Sequence, residues 1–556
     1  MYHMSASNKK KLRKEQASAI LSERQRQEQA EAKKLKVYTI SFVSVMIAIV
    51  VIALSVLGIR AVNNSGIIQK STIAAVVGDH ELNSVELGYY YNDAVNEYYS
   101  NWYEQYETYT DSYLQAIGLD TTKPLDAQVY NEESGQTWAE FFVETAIETA
   151  KSDYALYDLA KAEGFQLPSE EQTTLDNMMN NMGTYATLYG YSNANQYLRA
   201  MYGYGADETS YKAYSERSAV AEAYKQAHED SLKYDDAAIR EYEKDKVDQF
   251  NSYTYSSAYL SYTDFRQGGT EDENGNKTYS DAENEAAREA MKTAAETLAT
   301  STSLDALKEA IDTIEVNESS QLAVNDYNKV LHTTLNTPLA SWLADAERKE
   351  GDIGAIPNTS TTTDAEGNET TVTNGYYVVY FSGKTDNNQA MANVRHLLVQ
   401  FPGGTTNEET GETEYTDEEK ATAKSEADGY LKTWLEGDAT EESFIALVKE
   451  HSDDTSAEDG GLFEDIHPDS QYVPNFLSWS IDPERKAGDA EVVETEYGYH
   501  VMYYVGADET TYRDYMITNE MRTADQEEWY QGVLEPITTA VKDTSKMQLD
   551  IVLSAG

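Results

Sequence analysis

Asn393-Val394-Arg395-His396-Leu397-Leu398-Val399 is the stretch on which the fold turns. Aliphatic and β-branched residues crowd a histidine, with no glycine or proline among them, and this predicts a buried strand. Farther on, Thr495-Glu496-Tyr497-Gly498-Tyr499-His500-Val501-Met502-Tyr503 has the same character, with a glycine just before its histidine. The chain holds eight histidines. Two of them inside strand-like runs predict a paired imidazole site.

The first strand belongs to the second copy of an internal repeat. Trp342-Leu343-Ala344-Asp345-Ala346-Glu347-Arg348-Lys349-Glu350-Gly351-Asp352 recurs as Trp479-Ser480-Ile481-Asp482-Pro483-Glu484-Arg485-Lys486-Ala487-Gly488-Asp489, an offset of 137 residues. At that offset Ala258-Tyr259-Leu260 faces Arg395-His396-Leu397, and Leu307 and Ile311 face Phe444 and Val448. Gly375-Tyr376-Tyr377-Val378-Val379-Tyr380 answers Gly498–Tyr503 after a change in length. Both copies open their first helix with a capping box, Ser280 with Glu283 and Thr416 with Glu419. Each copy reads strand, long acidic loop, helices and closing strand, an α+β sandwich with helices on a small sheet. In this alignment the first copy has Tyr259 and Tyr377 where the second has His396 and His500. A fold that dispenses with both histidines in one copy argues for a chemical role in the other.

The rest of the chain sets the frame. Its 556 residues are enough for three or four domains. There is no cysteine, which excludes disulfides, thiolate metal sites and cysteine nucleophiles. Tyrosine is abundant (44 residues) and phenylalanine scarce (11); tyrosine suits half-exposed helix faces and shallow peptide-binding surfaces. Residues 1–36 carry ten Lys/Arg against four Glu, so a net +6 there leaves −60 elsewhere in a chain of −54. So acidic a body repels nucleic acid.

Between tail and body, Val37 to Ile59 has no charged residue. Its length spans a hydrocarbon core of about 30 Å. Lys33, Lys34 and Lys36 precede it and only Arg60 follows, so residues 1–36 are expected in the cytoplasm and the rest outside the cell membrane, on a single-pass anchor. No clear small-residue cleavage site follows. Residues 73–250 begin with a short strand and then read as helices, a mostly α domain. The stretch 511–547 is expected to be a C-terminal helix that completes it.

Val394–Val399, then Ser452-Asp453-Asp454, Gly460-Gly461, Val473-Pro474-Asn475-Phe476, Gly488-Asp489 and Thr495…Gly498-Tyr499-His500 resemble, in order and spacing, the parvulin-type peptidyl-prolyl isomerases over 391–506. The whole layout resembles extracytoplasmic foldases of the PrsA/SurA kind. The resemblance implies a multidomain protein: cytoplasmic tail 1–36, transmembrane helix 37–59, α chaperone domain 73–250, a degenerate parvulin-like module 251–388 and a parvulin module 391–506. It also implies that His396 and His500 are catalytic, with Asp454 beside them and Thr495 in their hydrogen-bond network. Leu462, Tyr472 and Phe476 would form the proline pocket. Two departures stand out. The glycine segment Gly460-Gly461-Leu462-Phe463-Glu464 is one residue short of the family pattern, and Tyr472 stands where a methionine is usual.

The implied activity needs no cofactor or metal, because no bond is made or broken. Its partners would be unfolded or newly exported polypeptides with Xaa-Pro bonds, and two copies can pair through their helical parts in such foldases. The acidic loop 407–417 would repel phosphate, which predicts no phospho-dependence. His396, His500 and Asp454 could also form a two-His-one-carboxylate metal set, although their spacing does not demand it. Asp272–Asn276 and Asp364–Asn368 faintly resemble calcium loops and read better as hairpin turns. A second functional reading stays open: a holdase in which the helical domain cradles clients and both modules are vestigial.

Overall fold

The computed structural model describes residues 7–11, 13–14, 45–59, 61–62, 65–106, 110–271, 277–363, 369–406 and 413–550. Most of the basic tail, residues 37–44 of the apolar run, the turns at 272–276 and 364–368, and residues 407–412 of the acidic loop lie outside them. Residues 45–59 are helical, with aliphatic side chains exposed at consecutive positions; Ile52 and Leu54 are each 63 % exposed. Among the described residues no helix is long and apolar enough to cross a membrane.

The chain forms two compact units, 1–232 with 525–556, and 233–524. The boundary therefore falls ahead of the 250 expected from sequence. The reason is local packing: Ile239 and Phe250 share a small core with Ile517 and Met521 of the second unit.

In the first unit, Ile73–Val77 is the centre of a three-stranded antiparallel sheet flanked by His80–Asn83 and Thr539–Val541. The longer helices that lie wholly within it are Ser84–Tyr106, Trp138–Glu163, Ser169–Leu188, Ala194–Tyr202 and Glu208–Ser231. Tyr89, Tyr90 and Tyr91 are fully buried in its core with Trp138 and Phe142. Burial is tolerable because each hydroxyl has a partner: Ser210 Oγ at 2.8 Å, Asp153 at 3.1 Å and the Leu549 carbonyl at 2.8 Å. The expected single helix over 511–547 is instead a helix, Tyr512–Leu534, followed by the edge strand Thr539–Val541. That strand is too short to register as a periodic run.

The second unit holds the repeat. Each copy is a four-stranded antiparallel sheet of one topology. Across the first sheet the order is Asn325–Leu331, Ser252–Ser261, Glu369–Thr385, Ile353–Thr363; across the second it is Leu462–Ile466, Ala390–Gln400, Gly498–Thr511, Ala490–Glu494. Alternation sends Leu397 and Val399 to the face covered by helices Asp417–Glu436 and Glu441–His451. Val394 and Met502 go to the other face, under helix Pro474–Ser480 with Phe476 and Trp479. The repeated tryptophan motif has a structural cause. Arg348 lies over Trp342 at 3.7 Å and Arg485 over Trp479 at 4.3 Å. Asp352 and Asp489 each accept a backbone N–H three residues back, from Lys349 and Lys486, at 2.9 Å.

The same motif fixes the register between copies and corrects the sequence alignment. Asp352 O accepts from Phe381 N, and Asp489 O accepts from Tyr504 N, so Phe381 and Tyr504 correspond. Phe381 pairs with Tyr255 and Tyr504 with Val394. Counting inward, His500 corresponds to Tyr377 as expected, but His396 corresponds to Ser257. Tyr259 takes the place of Leu398. The loop from this strand to the next helix cap is three residues longer in the first copy, Ser261 to Ser280 against Gln400 to Thr416, which displaces the apparent offset.

Buried Arg513 ties the segment joining the copies. It donates to the carbonyls of Asp386, Phe250 and Val247 and pairs with Glu243.

Candidate functional site

His396 and His500 stand on adjacent antiparallel strands, two rungs out of direct opposition, since His396 pairs with Met502 and Leu398 with His500. Both side chains point to the face covered by Pro474–Ser480. The two residues are 2 % and 5 % exposed, and their Nδ1 atoms are 2.9 Å apart. Two glycines permit this. A Cβ on Gly461 would strike the His396 carbonyl, and one on Gly498 the Val399 carbonyl. Both glycines have positive φ, +65° and +152°.

The Ser452-Asp453-Asp454 turn is docked on the histidine strand. Ser452 Oγ accepts from Leu398 N at 3.0 Å, Asp453 Oδ2 accepts from Gln400 N at 2.9 Å, and Asp453 N donates to Leu398 O. This carries Asp454 Oδ1 to 3.7 Å from His396 Nε2, ion-pair range rather than a hydrogen bond. Ser456 fills the gap: its Oγ is 3.3 Å from His396 Nε2 and donates to Asp454 at 2.5 Å, while its N–H donates to the same oxygen at 2.8 Å. On the other side, Thr495 Oγ1 is 2.9 Å from His500 Nε2.

The electrostatics give this row a direction. The neighbouring His396 and the Ser456 donors hold the Asp454 carboxyl well below the usual carboxylate range, against its partial burial. Burial and the adjacent His396 push His500 down to about 3. An ionised Asp454 favours a proton on His396 Nε2. His396 Nδ1 then accepts from His500 Nδ1–H, and His500 Nε2 accepts from the Thr495 hydroxyl. In this arrangement the donors along the row, from Thr495 through His500 to His396, point toward the carboxylate.

Aromatic rings wall this row. Phe476 lies 5.4 Å from the His396 ring and 5.5 Å from that of His500. Phe463 is 4.9 Å from His396, and Tyr472 packs on Phe463 at 5.4 Å and Phe476 at 5.3 Å. The structure thus brings together His396, His500, Asp454, Thr495, Tyr472 and Phe476. It does not bring Leu462. That residue pairs with Arg395 and so lies on the opposite sheet face from His396; Phe463, paired with Val394, takes the pocket position. Two consecutive left-handed glycines, Gly460 and Gly461, shift the register that sequence spacing suggested. Ser456 joins the row with no motif of its own in the sequence beyond the Asp-x-Ser spacing of an Asx turn.

The polar groups do not converge on a metal position. The two Nδ1 atoms face each other, and Asp454 lies at the far nitrogen of His396. Among the described residues no cluster of three or more His, Asp or Glu side chains is arranged to hold a metal ion.

Residues 396–506 match the rotamase family, described as the PPIC-type PPIase domain. No curated protein matches the chain. Among solved structures, PrsA from Bacillus subtilis is 13% identical, covering 74% of this chain and 91% of its own, with a TM-score of 0.24. The peptidylprolyl isomerase PrsA from Bacillus anthracis is 22% identical over 27% of this chain and 59% of its own, at 0.17. The peptidyl-prolyl isomerase ESS1 from Candida albicans is 18% identical over 27% and 95%, at 0.16.

Proposed function

The chain carries a parvulin-type peptidyl-prolyl isomerase domain over 396–506, and we propose that it works as a membrane-anchored, extracytoplasmic foldase that rotates Xaa-Pro bonds in newly exported polypeptides. The observation that carries the catalytic part is the one-way row from Thr495 through His500 and His396 to Asp454, laid along an aromatic pocket.

Prolyl rotation is slow because amide resonance imposes a barrier of roughly 18–20 kcal/mol. In the planar amide the carbonyl oxygen carries extra negative charge; in the twisted amide much of that charge returns to nitrogen. A fixed negative group beside the carbonyl oxygen therefore disfavours the planar form more than the twisted one, which is differential binding of the transition state. Asp454 supplies the charge. The histidine row holds it ionised and in place, and Phe463, Tyr472 and Phe476 receive the proline ring and exclude water. No step calls for a cofactor.

The anchor reading is supported by the uncharged run Val37–Ile59 behind a basic flank. The acidic sequence of loop 407–417 supports indifference to phosphate before the proline. The first module, with Ser257 and Tyr377 at the histidine positions, is read as non-catalytic. Exchange spectroscopy on an unphosphorylated Xaa-Pro peptide tests the central claim. The full chain should accelerate exchange, and His396→Ala and His500→Ala should each remove most of the acceleration. Acceleration that survives both changes would overturn it.

A further inference from the structure

The chain enters the first unit at Gly66, and it is clamped there. A Cβ on Gly66 would fall 2.0 Å from Gly205 Cα, and one on Gly205 would strike Val85 Cγ2 at 2.8 Å, so the two glycine backbones lie in direct contact. Lys70 Nζ pairs with Asp207 at 2.5 Å, and the Thr72 carbonyl accepts from Ser84 N at 2.9 Å. The short helix Ile67–Ser71 therefore belongs to the surface of the unit and not to a swinging linker.

What this corner shows to the outside is apolar. Ile67 is 66 %, Ile68 40 % and Tyr204 50 % exposed. The charges nearest to them in sequence, Lys70 and Asp207, neutralise each other. The sequence around Tyr204 extends the pattern. Residues 177–206 hold a single charged residue, Arg199, in a chain of which 25% is charged. Tyr185, Leu188 and Tyr189 of the same stretch are exposed as well. An otherwise strongly acidic body has kept one segment uncharged, with aromatic and aliphatic side chains on its outside.

The place of this corner in the chain names its occupant. The uncharged run Val37–Ile59 ends shortly before Gly66, and the connecting residues reach at most about 25 Å when fully extended. Residues 61–62 and 65 are helical, which shortens that reach. A membrane-spanning run thus holds the corner close to the headgroup layer that borders the hydrocarbon core. Tyrosine and isoleucine suit that layer, because ring and aliphatic chain enter the acyl boundary while the phenol hydroxyl stays among polar groups. Anionic headgroups repel acidic surface but not an uncharged one.

From these observations we infer that the first unit is seated on the outer leaflet, with Ile67, Ile68 and Tyr204 lodged among the lipid headgroups. The patch needs little affinity of its own, because a short tether already gives it a high effective concentration at the bilayer. The inference rests on Val37–Ile59 being the anchor.

The lack of cysteine makes the test direct, since one introduced cysteine takes a label uniquely. Full-length chains with Ile59→Cys, Ile67→Cys or Tyr204→Cys, each carrying a nitrobenzoxadiazole label, are reconstituted in vesicles of phosphatidylethanolamine and phosphatidylglycerol that contain a headgroup-level nitroxide lipid. All three labels should be quenched. Ile67→Glu with Ile68→Glu, added to the Tyr204→Cys chain, should lower the ratio of seated to free units about tenfold and remove most of the quenching. In the Ile59→Cys chain the same pair should leave quenching intact, and circular dichroism melts should be unchanged because both isoleucines are exposed. Quenching at 59 without quenching at 67 and 204 overturns the inference and leaves the anchor standing. No quenching at 59 overturns the anchor reading and this inference with it. Quenching at 204 that survives both glutamates overturns it too. So does shielding of the labels from aqueous iodide without nitroxide quenching, the sign of a second copy covering the patch.

Discussion

Protonation of His500 offers a quantitative check on the site. The ring is almost wholly enclosed, and burial with the neighbouring His396 lowers it from 6.5 to about 3. The unfolded chain takes up a proton near pH 6.5 that the folded module refuses, so stability is full above pH 6.5 and drains as pH falls toward 3. One pH unit in that window is worth about 1.4 kcal/mol. Between pH 7 and pH 4.5 the wild type should therefore lose about 3 kcal/mol more than His500→Gln, which keeps a polar side chain but cannot titrate. Asp454 does not confuse the comparison. Its carboxyl is held low, so its own contribution is lost only below about pH 4, the ordinary carboxylate range. Amide hydrogen exchange of peptides covering 394–400, compared between the two proteins at each pH, reports the module's own stability. Histidine-labelled NMR gives the titration directly, with His500→Gln assigning the signal. A His500 signal that titrates near 6.5, or equal losses in both proteins, would refute the enclosed neutral ring on which the directed row depends.

Other outcomes follow from the same geometry. Ser456→Ala removes the hydroxyl linking His396 and Asp454, and should lower kcat/KM about tenfold in exchange assays while leaving peptide affinity nearly unchanged. Phe476→Ala empties the shared wall of the pocket and should cost about 3–5 kcal/mol of module stability as well as peptide affinity, read by denaturation and titration. Gly461→Ala forces a Cβ onto the His396 carbonyl in a left-handed conformation; circular dichroism melts should show the module destabilised by at least about 2 kcal/mol. A peptide phosphorylated at the residue before proline should be turned over no faster than its unphosphorylated form.

The second module was largely legible in sequence because strand alternation and ordered polar anchors both report side-chain direction. His396 and His500 in apolar runs could only face a covered side of a sheet, and Asp454 in a turn had to come from a loop. What failed was anything that depended on register. Sequence spacing places Leu462 in the pocket because two left-handed glycines cannot be counted through, and it sets Tyr259 against His396 because a loop length differs between copies. Both errors are shifts of one or two residues, and in a pleated strand a one-residue shift changes the face. Composition misled in another way. Tyrosines expected on half-exposed surfaces form the heart of the first unit, because hydroxyl partners such as Ser210 and Asp153 come from distant helices that composition cannot see.

The edge strand Thr539–Val541, laid beside Ile73–Val77, makes the second unit an insertion within the first. Residues 73–232 leave the ribosome early, yet the sheet they begin is finished by residues made more than 300 positions later. Tyr91 likewise waits for the Leu549 carbonyl. Contacts so distant in sequence form late and slowly. During synthesis the repeat modules can therefore mature while the first unit still shows an open strand edge, a template for unwanted pairing. A chain that stops before residue 539 would keep that edge permanently, and its fault would lie in assembly rather than in chemistry.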